Sequence, residues 1–351
     1  MIAVRAFLRR WRLSGHASGI AIAVGLAVNS SATSRQAPSS SGVGARPPYA
    51  VAGPLREPRI FGDGVISTAD DEFGGSFTPD GKTIYFSRSA PHSYLYAIFE
   101  SHWVGGKWTT PTIVPFSGEY TDSDPILSPD GNAMYWSSDR PVNGNVKHDY
   151  DIWMVRRQPD GNWGPPERLP EPINSNGSEF CASVARNGTI YFSSTRDAPP
   201  GAIRAFRSRL INGKWAEPEN LSAAMGTRPD DPFLDLDIMV DPDERFLLVG
   251  SLGRPDGFGH FDIYVSWNRD GVWSPLKHLP APFNTPARDY SPHISPDGKY
   301  VFFASERGFT AGSVTARFDS YRALVARLRS TLNGSGNIYQ IDVAVLDSLG
   351  K

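Results

Sequence analysis

One turn recurs five times along the chain: Pro79–Asp80–Gly81, Pro129–Asp130–Gly131, Arg186–Asn187–Gly188, Pro242–Asp243–Glu244 and Pro296–Asp297–Gly298. The steps from one Asp or Asn to the next are 50, 57, 56 and 54 residues. Self-similarity at such a period marks an array of one supersecondary unit. Asp-Gly and Asn-Gly accept the positive φ that tight hairpins need, so each turn joins two short strands. Glu244 breaks this pattern, and the fourth turn is expected to take another conformation.

An apolar-aromatic strand follows each turn: Ile84–Tyr85–Phe86, Met134–Tyr135–Trp136, Ile190–Tyr191–Phe192, Phe246–Leu247–Leu248 and Val301–Phe302–Phe303. A third strand is legible at Tyr150–Trp153, Phe261–Tyr264 and Asn337–Tyr339, with weaker versions at Tyr94–Phe99 and Ile203–Arg207. A fourth opens with tryptophan and soon meets proline, as in Trp108–Pro111, Trp163–Pro166, Trp215–Pro218 and Trp273–Pro275. Four short strands per unit make one propeller blade. Glycine and proline, 34 and 30 of 351 residues, exceed the average share of roughly 12%, as an all-β chain rich in turns requires.

The fifth unit lacks a tryptophan strand, and Glu57–Gly62 precedes the first unit without a blade of its own. Placing that segment as the fourth strand of the last blade closes the ring and removes two open sheet edges. Asp319–Leu332 carries Tyr321, Leu324, Val325, Leu328 and Leu332 at helical spacing, with Asp319 as N-cap and Asn333–Gly334 as the stop. The expectation is an all-β, five-bladed β-propeller with one helix inserted in the last blade. Six blades are the alternative if the Glu57 region is fuller.

The N-terminus is read as an address. No Asp or Glu precedes Glu57, and Arg5, Arg9, Arg10 and Arg12 lead into the apolar stretch Ala17–Val28 and then Ser30–Ser31–Ala32. Basic, apolar, then small residues is the layout of a secretory signal, here residues 1–32. The apolar stretch is 12 residues, against about 20 for a membrane span. Residues 33–55 read as a flexible linker, 56–346 as the propeller and 347–351 as a tail. Losing 1–32 removes four arginines and no acids, leaving a net charge of −6 in place of −2. That balance gives no footprint for nucleic acid. A periplasmic or secreted, non-membrane-spanning monomer is expected. The single cysteine, Cys181, excludes an internal disulfide and any cysteine-rich metal site.

The segments Ser128–Pro129–Asp130–Gly131 with Met134–Tyr135–Trp136–Ser137–Ser138, and Ser295–Pro296–Asp297–Gly298 with Phe302–Phe303–Ala304–Ser305, resemble the WD40-like propeller repeats of the TolB family. The resemblance covers about residues 56–346. It implies a periplasmic propeller that binds partner proteins; the family's N-terminal α/β domain has no counterpart in residues 1–55. Fold alone does not give function, and no Gly-x-Ser-x-Gly elbow is present.

An acid stands eight residues before every turn Asp or Asn: Glu72, Asp122, Glu179, Asp235 and Asp289. Each opens an innermost strand, so ring symmetry brings all five toward one mouth of the channel. Like charges so placed attract cations or basic peptide, and these five are the candidate site for a protein or glycan partner. Asp124 and Asp237 follow two positions further along. The competing expectation is that Arg140, Arg196, Arg254 and Arg307, with Arg88 in looser register, pair with the acids and join blades. A second function class is glycoside hydrolysis by Glu72, Glu179 and Asp237, which needs two carboxyls about 5–9.5 Å apart. His92, His102, His148, His260, His278 and His293 show no ligand spacing, so no metal or cofactor is expected. Calcium on mouth oxygens is the weakest alternative. The repeated tryptophans are expected to pack between blades, and Cys181 to be a buried thiol.

Overall fold

The computed structural model describes residues 46–90, 93, 95–146, 149–309 and 318–347. The signal expected at 1–32, the N-terminal part of the linker, His92, His148 and residues 348–351 lie outside them.

The chain is a five-bladed β-propeller. Blade 1 runs from its inner strand Asp71–Phe77 through Thr83–Ser89 and Ala97–Val104 to Thr112–Ile113. Blade 2 comprises Asp122–Leu127, Ala133–Ser138, Asp151–Arg156 and Glu167–Arg168. Blade 3 comprises Glu179–Val184, Ile190–Ser194, Arg204–Ser208 and Glu219–Asn220. Blade 4 comprises Leu234–Val240, Phe246–Leu252, Asp262–Arg269 and Lys277–His278. Blade 5 takes its first three strands, Asp289–Ile294, Tyr300–Ser305 and Asn337–Asp342, from the end of the chain and its outer strand, Arg59–Ile60, from the beginning. Arg59 pairs with Gln340 and Ile60 with Tyr339, so the ring closes without leaving the last third strand as a bare edge.

The outer strand begins later than the tryptophans suggest. Lys107–Trp108 and Val272–Trp273 pair with the far end of the third strand, and the blade's own edge resumes beyond the proline, at Thr112–Ile113 and Lys277–His278. Proline has no N–H for the ladder and splits one edge strand into two pieces. The tryptophans do pack between blades: Trp163 meets Tyr85 of the preceding blade at 6.0 Å, and Trp273 meets Tyr191 at 5.9 Å. Trp108 meets Phe61, just after the closing strand, at 5.8 Å.

The fourth turn is not an exception. Glu244 takes φ +55°, the left-handed conformation that Gly81 takes at +69°. A non-glycine residue is costly there, and Glu244 is held by Tyr191 Oη and Asn187 Nδ2, which donate to its carboxylate at 2.6 and 2.7 Å.

Two further expectations change. The inserted helix spans Tyr321–Leu328, shorter than 319–332, and Ser320, not Asp319, caps it by accepting from the Ala323 N–H. A serine in extended conformation supplies the oxygen that the first turn lacks. Residues 47–55 are not a free linker. Tyr49 is buried, Gln340 Nε2 donates to its carbonyl at 2.7 Å, the Leu55 N–H donates to the Asp342 carboxylate, and the Asp342 N–H donates back to the Leu55 carbonyl. Composition makes this stretch look solvated, while one aromatic side chain pins it down. Among the described residues no helix is long and apolar enough to cross a membrane.

Candidate functional site

All five inner-strand acids, Glu72, Asp122, Glu179, Asp235 and Asp289, are 0% exposed. Each meets an arginine: Arg88–Glu72 at 2.9 Å, Arg140–Asp122 at 2.8 Å, Arg196–Glu179 at 3.1 Å, Arg254–Asp235 at 2.7 Å and Arg307–Asp289 at 2.8 Å. The pairing is a repeated lock. In blade 5, Arg307 Nε donates to Ser305 Oγ, its other nitrogens donate to the Pro282 and Phe283 carbonyls, and the guanidinium lies 5.1 Å over Phe303. The Asp289 carboxylate also accepts from the N–H and hydroxyl of Thr285. Both members of the pair thus carry hydrogen bonds beyond the one they share, as burial of charge demands.

These five side chains therefore do not form an open acidic mouth; their charges are spent within the fold. Arg88 departs from the other four, donating from inside the second strand directly opposite Glu72. It nonetheless reaches the Val65 and Ile66 carbonyls just as Arg307 reaches its pair. Burial, opposed by the Thr68 hydrogen bonds and the Arg88 charge, pushes Glu72 up to about 7.

Two residues beyond each lock acid the pattern changes from uniform to varied: Gly74, Asp124, Cys181, Asp237 and Ser291. All five inner strands slip register here against their second strands. Such a bulge takes a side chain off the ladder and re-aims it. Gly74, Asp124, Cys181 and Ser291 adopt φ of +66, +55, +49 and +47°. Neighbouring blades hold the bulges: the Asp124 N–H donates to Ser87 Oγ of blade 1 at 2.9 Å, and the Cys181 N–H to Ser137 Oγ of blade 2 at 3.0 Å. In blade 4 room comes from Gly250, where a Cβ would lie 2.5 Å from Asp237 Oδ2.

The result is a convergent polar cluster from four blades. Cys181 Sγ donates to Asp237 Oδ1 at 3.4 Å, the Ser291 N–H donates to Asp237 Oδ2 at 2.9 Å, and Ser291 Oγ donates to Asp124 Oδ1 at 3.0 Å. His293 Nδ1 faces the Ser291 carbonyl at 3.2 Å. These groups line a cavity of about 10 Å³, room for one atom-sized occupant. Asp237, Cys181, Ser291 and His293 are buried, while Asp124 keeps partial exposure. Burial, then the facing Asp237 charge, drives the Asp124 carboxyl upward; burial raises Asp237 and the Cys181 thiol and lowers His293.

The hydrolase triad of Glu72, Glu179 and Asp237 is not assembled as a cleft. Glu72 and Glu179 are spent in their own locks, and the space beside Asp237 is far too small for a sugar ring. Sequence reasoning singles out Asp124, Asp237, Cys181 and His293 separately and does not join them. Asp124, Cys181 and Asp237 share one place in the repeat, two residues after the lock acid, and that shared place is the signal that joins them. A larger opening of about 480 Å³ lies on the opposite face, between the turns of blades 2 and 3, lined by Tyr135, Arg156, Arg157 and Arg186 among others.

No family model matches the chain, and no curated protein matches it. Among solved structures, a TolB-type protein from Agrobacterium tumefaciens is 15% identical over 83% of this chain and 99% of its own, with a TM-score of 0.45. A gluconolactonase from Xanthomonas campestris is 16% identical over 72% of this chain and 95% of its own, TM-score 0.40. A thermostable family-43 glycoside hydrolase is 13% identical over 69% and 85%, TM-score 0.46. Likeness at this level bears on no ligand and no chemistry.

Proposed function

We propose that this chain is an exported, non-catalytic propeller that docks a protein partner on the face where its inner strands begin. The observation that carries the reading is that the loops joining second and third strands expose large apolar side chains in four of the five blades. Leu95 is 50% exposed in blade 1, Val146 71% in blade 2, Phe258 54% in blade 4, and Tyr321 81% and Leu328 49% in blade 5. Single exposed apolar residues are ordinary, whereas several on one rim mark an interaction surface. The helix Tyr321–Leu328 leaves Tyr321 and Leu328 exposed while Leu324 and Val325 are half-buried, so its two ends are available to a partner.

A photo-reactive phenylalanine at Phe258 or Tyr321 is expected to capture the same protein in cells. At Leu210 or Val272, exposed apolar positions on the outer hairpins, it is expected to capture none. Equal capture from both sets, or capture only from Arg156 beside the opposite opening, would move the docking surface and sink the reading.

Export rests on the basic, apolar, small order of residues 1–32. Protein purified from its own cells is expected to begin near Thr33. A sequence starting at Met1 would remove this part of the proposal.

A further inference from the structure

We propose that Asp124, Cys181 and Asp237 form a binding site for one divalent transition-metal ion, zinc being the type, on the propeller axis. The site is independent of the docking face. Its three donors come from three consecutive blades and lie within 4.8 Å of one another. A tetrahedral ion with Zn–S of about 2.3 Å and Zn–O of about 2.0 Å holds its sulfur and oxygen roughly 3.5 Å apart. Cys181 Sγ and Asp237 Oδ1 stand at 3.4 Å.

Charge argues the same way. Among the described residues no arginine or lysine is within 4.0 Å of the Asp124 or Asp237 carboxylate, the Arg288 charge acting on Asp237 from further off, whereas every lock acid is directly paired. Buried carboxylates are normally matched by a cation or held on a metal. The cavity between these groups is about 10 Å³, which excludes an organic cation and suits a single small occupant such as an ion. A sulfur donor with two carboxylates selects zinc, cobalt or cadmium over the hard ions calcium and magnesium.

The surroundings are those of a supported site. Ser291 donates its hydroxyl to Asp124 and its N–H to Asp237, fixing both carboxylates as outer partners commonly do. Gly74 contributes no side chain from blade 1, where a Cβ would lie 3.5 Å from the His293 ring. With three protein ligands, the fourth position is left to water, on the side where Asp124 is partly exposed. Binding exchanges the thiol proton, now donated to Asp237, for the metal and releases it to solvent.

Because Cys181 is the chain's one cysteine, the readout is clean. The full chain, stripped with chelator and titrated with cobalt(II), is expected to bind one equivalent and develop the near-ultraviolet sulfur-to-cobalt charge-transfer band. Zinc should bleach that band by displacement and protect the thiol from a disulfide reagent. Cys181→Ser should lose the band while keeping its circular dichroism. Asp124→Asn, at the partly exposed position, should weaken binding by at least about 10- to 100-fold and serves if the serine variant misfolds. Absence of cobalt binding, a spectrum untouched by Cys181→Ser, or calcium bound in preference to zinc would each overturn the assignment.

Discussion

Replacing Arg140 by alanine is expected to cost about 3–5 kcal/mol of stability, the penalty for stranding one partner of a buried ion pair. Arg140 donates to Asp122 at 2.8 Å, to Ser138 Oγ at 3.0 Å and to the Phe116 carbonyl at 3.0 Å, and lies 5.2 Å over Trp136. The Asp122 carboxylate would keep Trp136 Nε1 and Ser117 Oγ as donors at 2.9 and 2.8 Å, yet its charge would stand uncompensated at 0% exposure. For a ring of this size the melting temperature should fall on the order of 10 °C. Removing both charges together, as Asp122→Leu with Arg140→Leu, should recover part of the loss, because no buried charge is then left alone. Thermal and denaturant unfolding of the two variants decide the matter. A loss under about 1 kcal/mol, the range of surface ion pairs, would show that the locks are decorative. Glu217→Ala, at an exposed position, provides the scale for an ordinary surface change.

What could be read from the sequence follows from what repetition preserves. The turn Asp or Asn, the lock acid and the aromatic second strand recur because every blade has the same neighbours to pack against. Their spacing therefore exposes the blade count and the closing role of Glu57–Gly62, which supplies Arg59–Ile60 to blade 5. At the site the same logic supports two expectations, an acidic mouth and arginine-paired acids, and the structure shows the pairs. A feature present in every blade is a device each blade needs. Each buried acid meets a buried or half-buried arginine. The axial cluster is hidden for a different reason. Asp124, Cys181 and Ser291 point inward because of bulges with positive φ, and no local propensity announces a bulge at Asp, Cys or Ser. Glu244 shows the converse: its residue type argues against the shared turn, and hydrogen bonds from Tyr191 and Asn187 in the neighbouring blade override it.

Truncation at the front of the ring should be the most damaging change of all, for two separable reasons. Tyr49 is 2% exposed, with ring centroids 4.9 Å from Phe77 and 6.0 Å from both Tyr300 and Phe302. It bridges the first strand of blade 1 and the second strand of blade 5, so Tyr49→Ala is expected to cost about 3–5 kcal/mol through the cavity it leaves. That variant retains Arg59–Ile60 on Asn337–Asp342 and should keep the parent chain's oligomeric state while melting early. Deleting residues 1–60 removes the outer strand as well and bares the Asn337–Asp342 edge, a template for pairing with a second chain. Light scattering should then report association or precipitation beyond the parent chain's own state. The two readouts separate packing from closure: a truncated chain that keeps the parent chain's state and melts like Tyr49→Ala would place the whole effect on the tyrosine. Association of the truncated chain alone assigns to Arg59 and Ile60 the sealing of the ring.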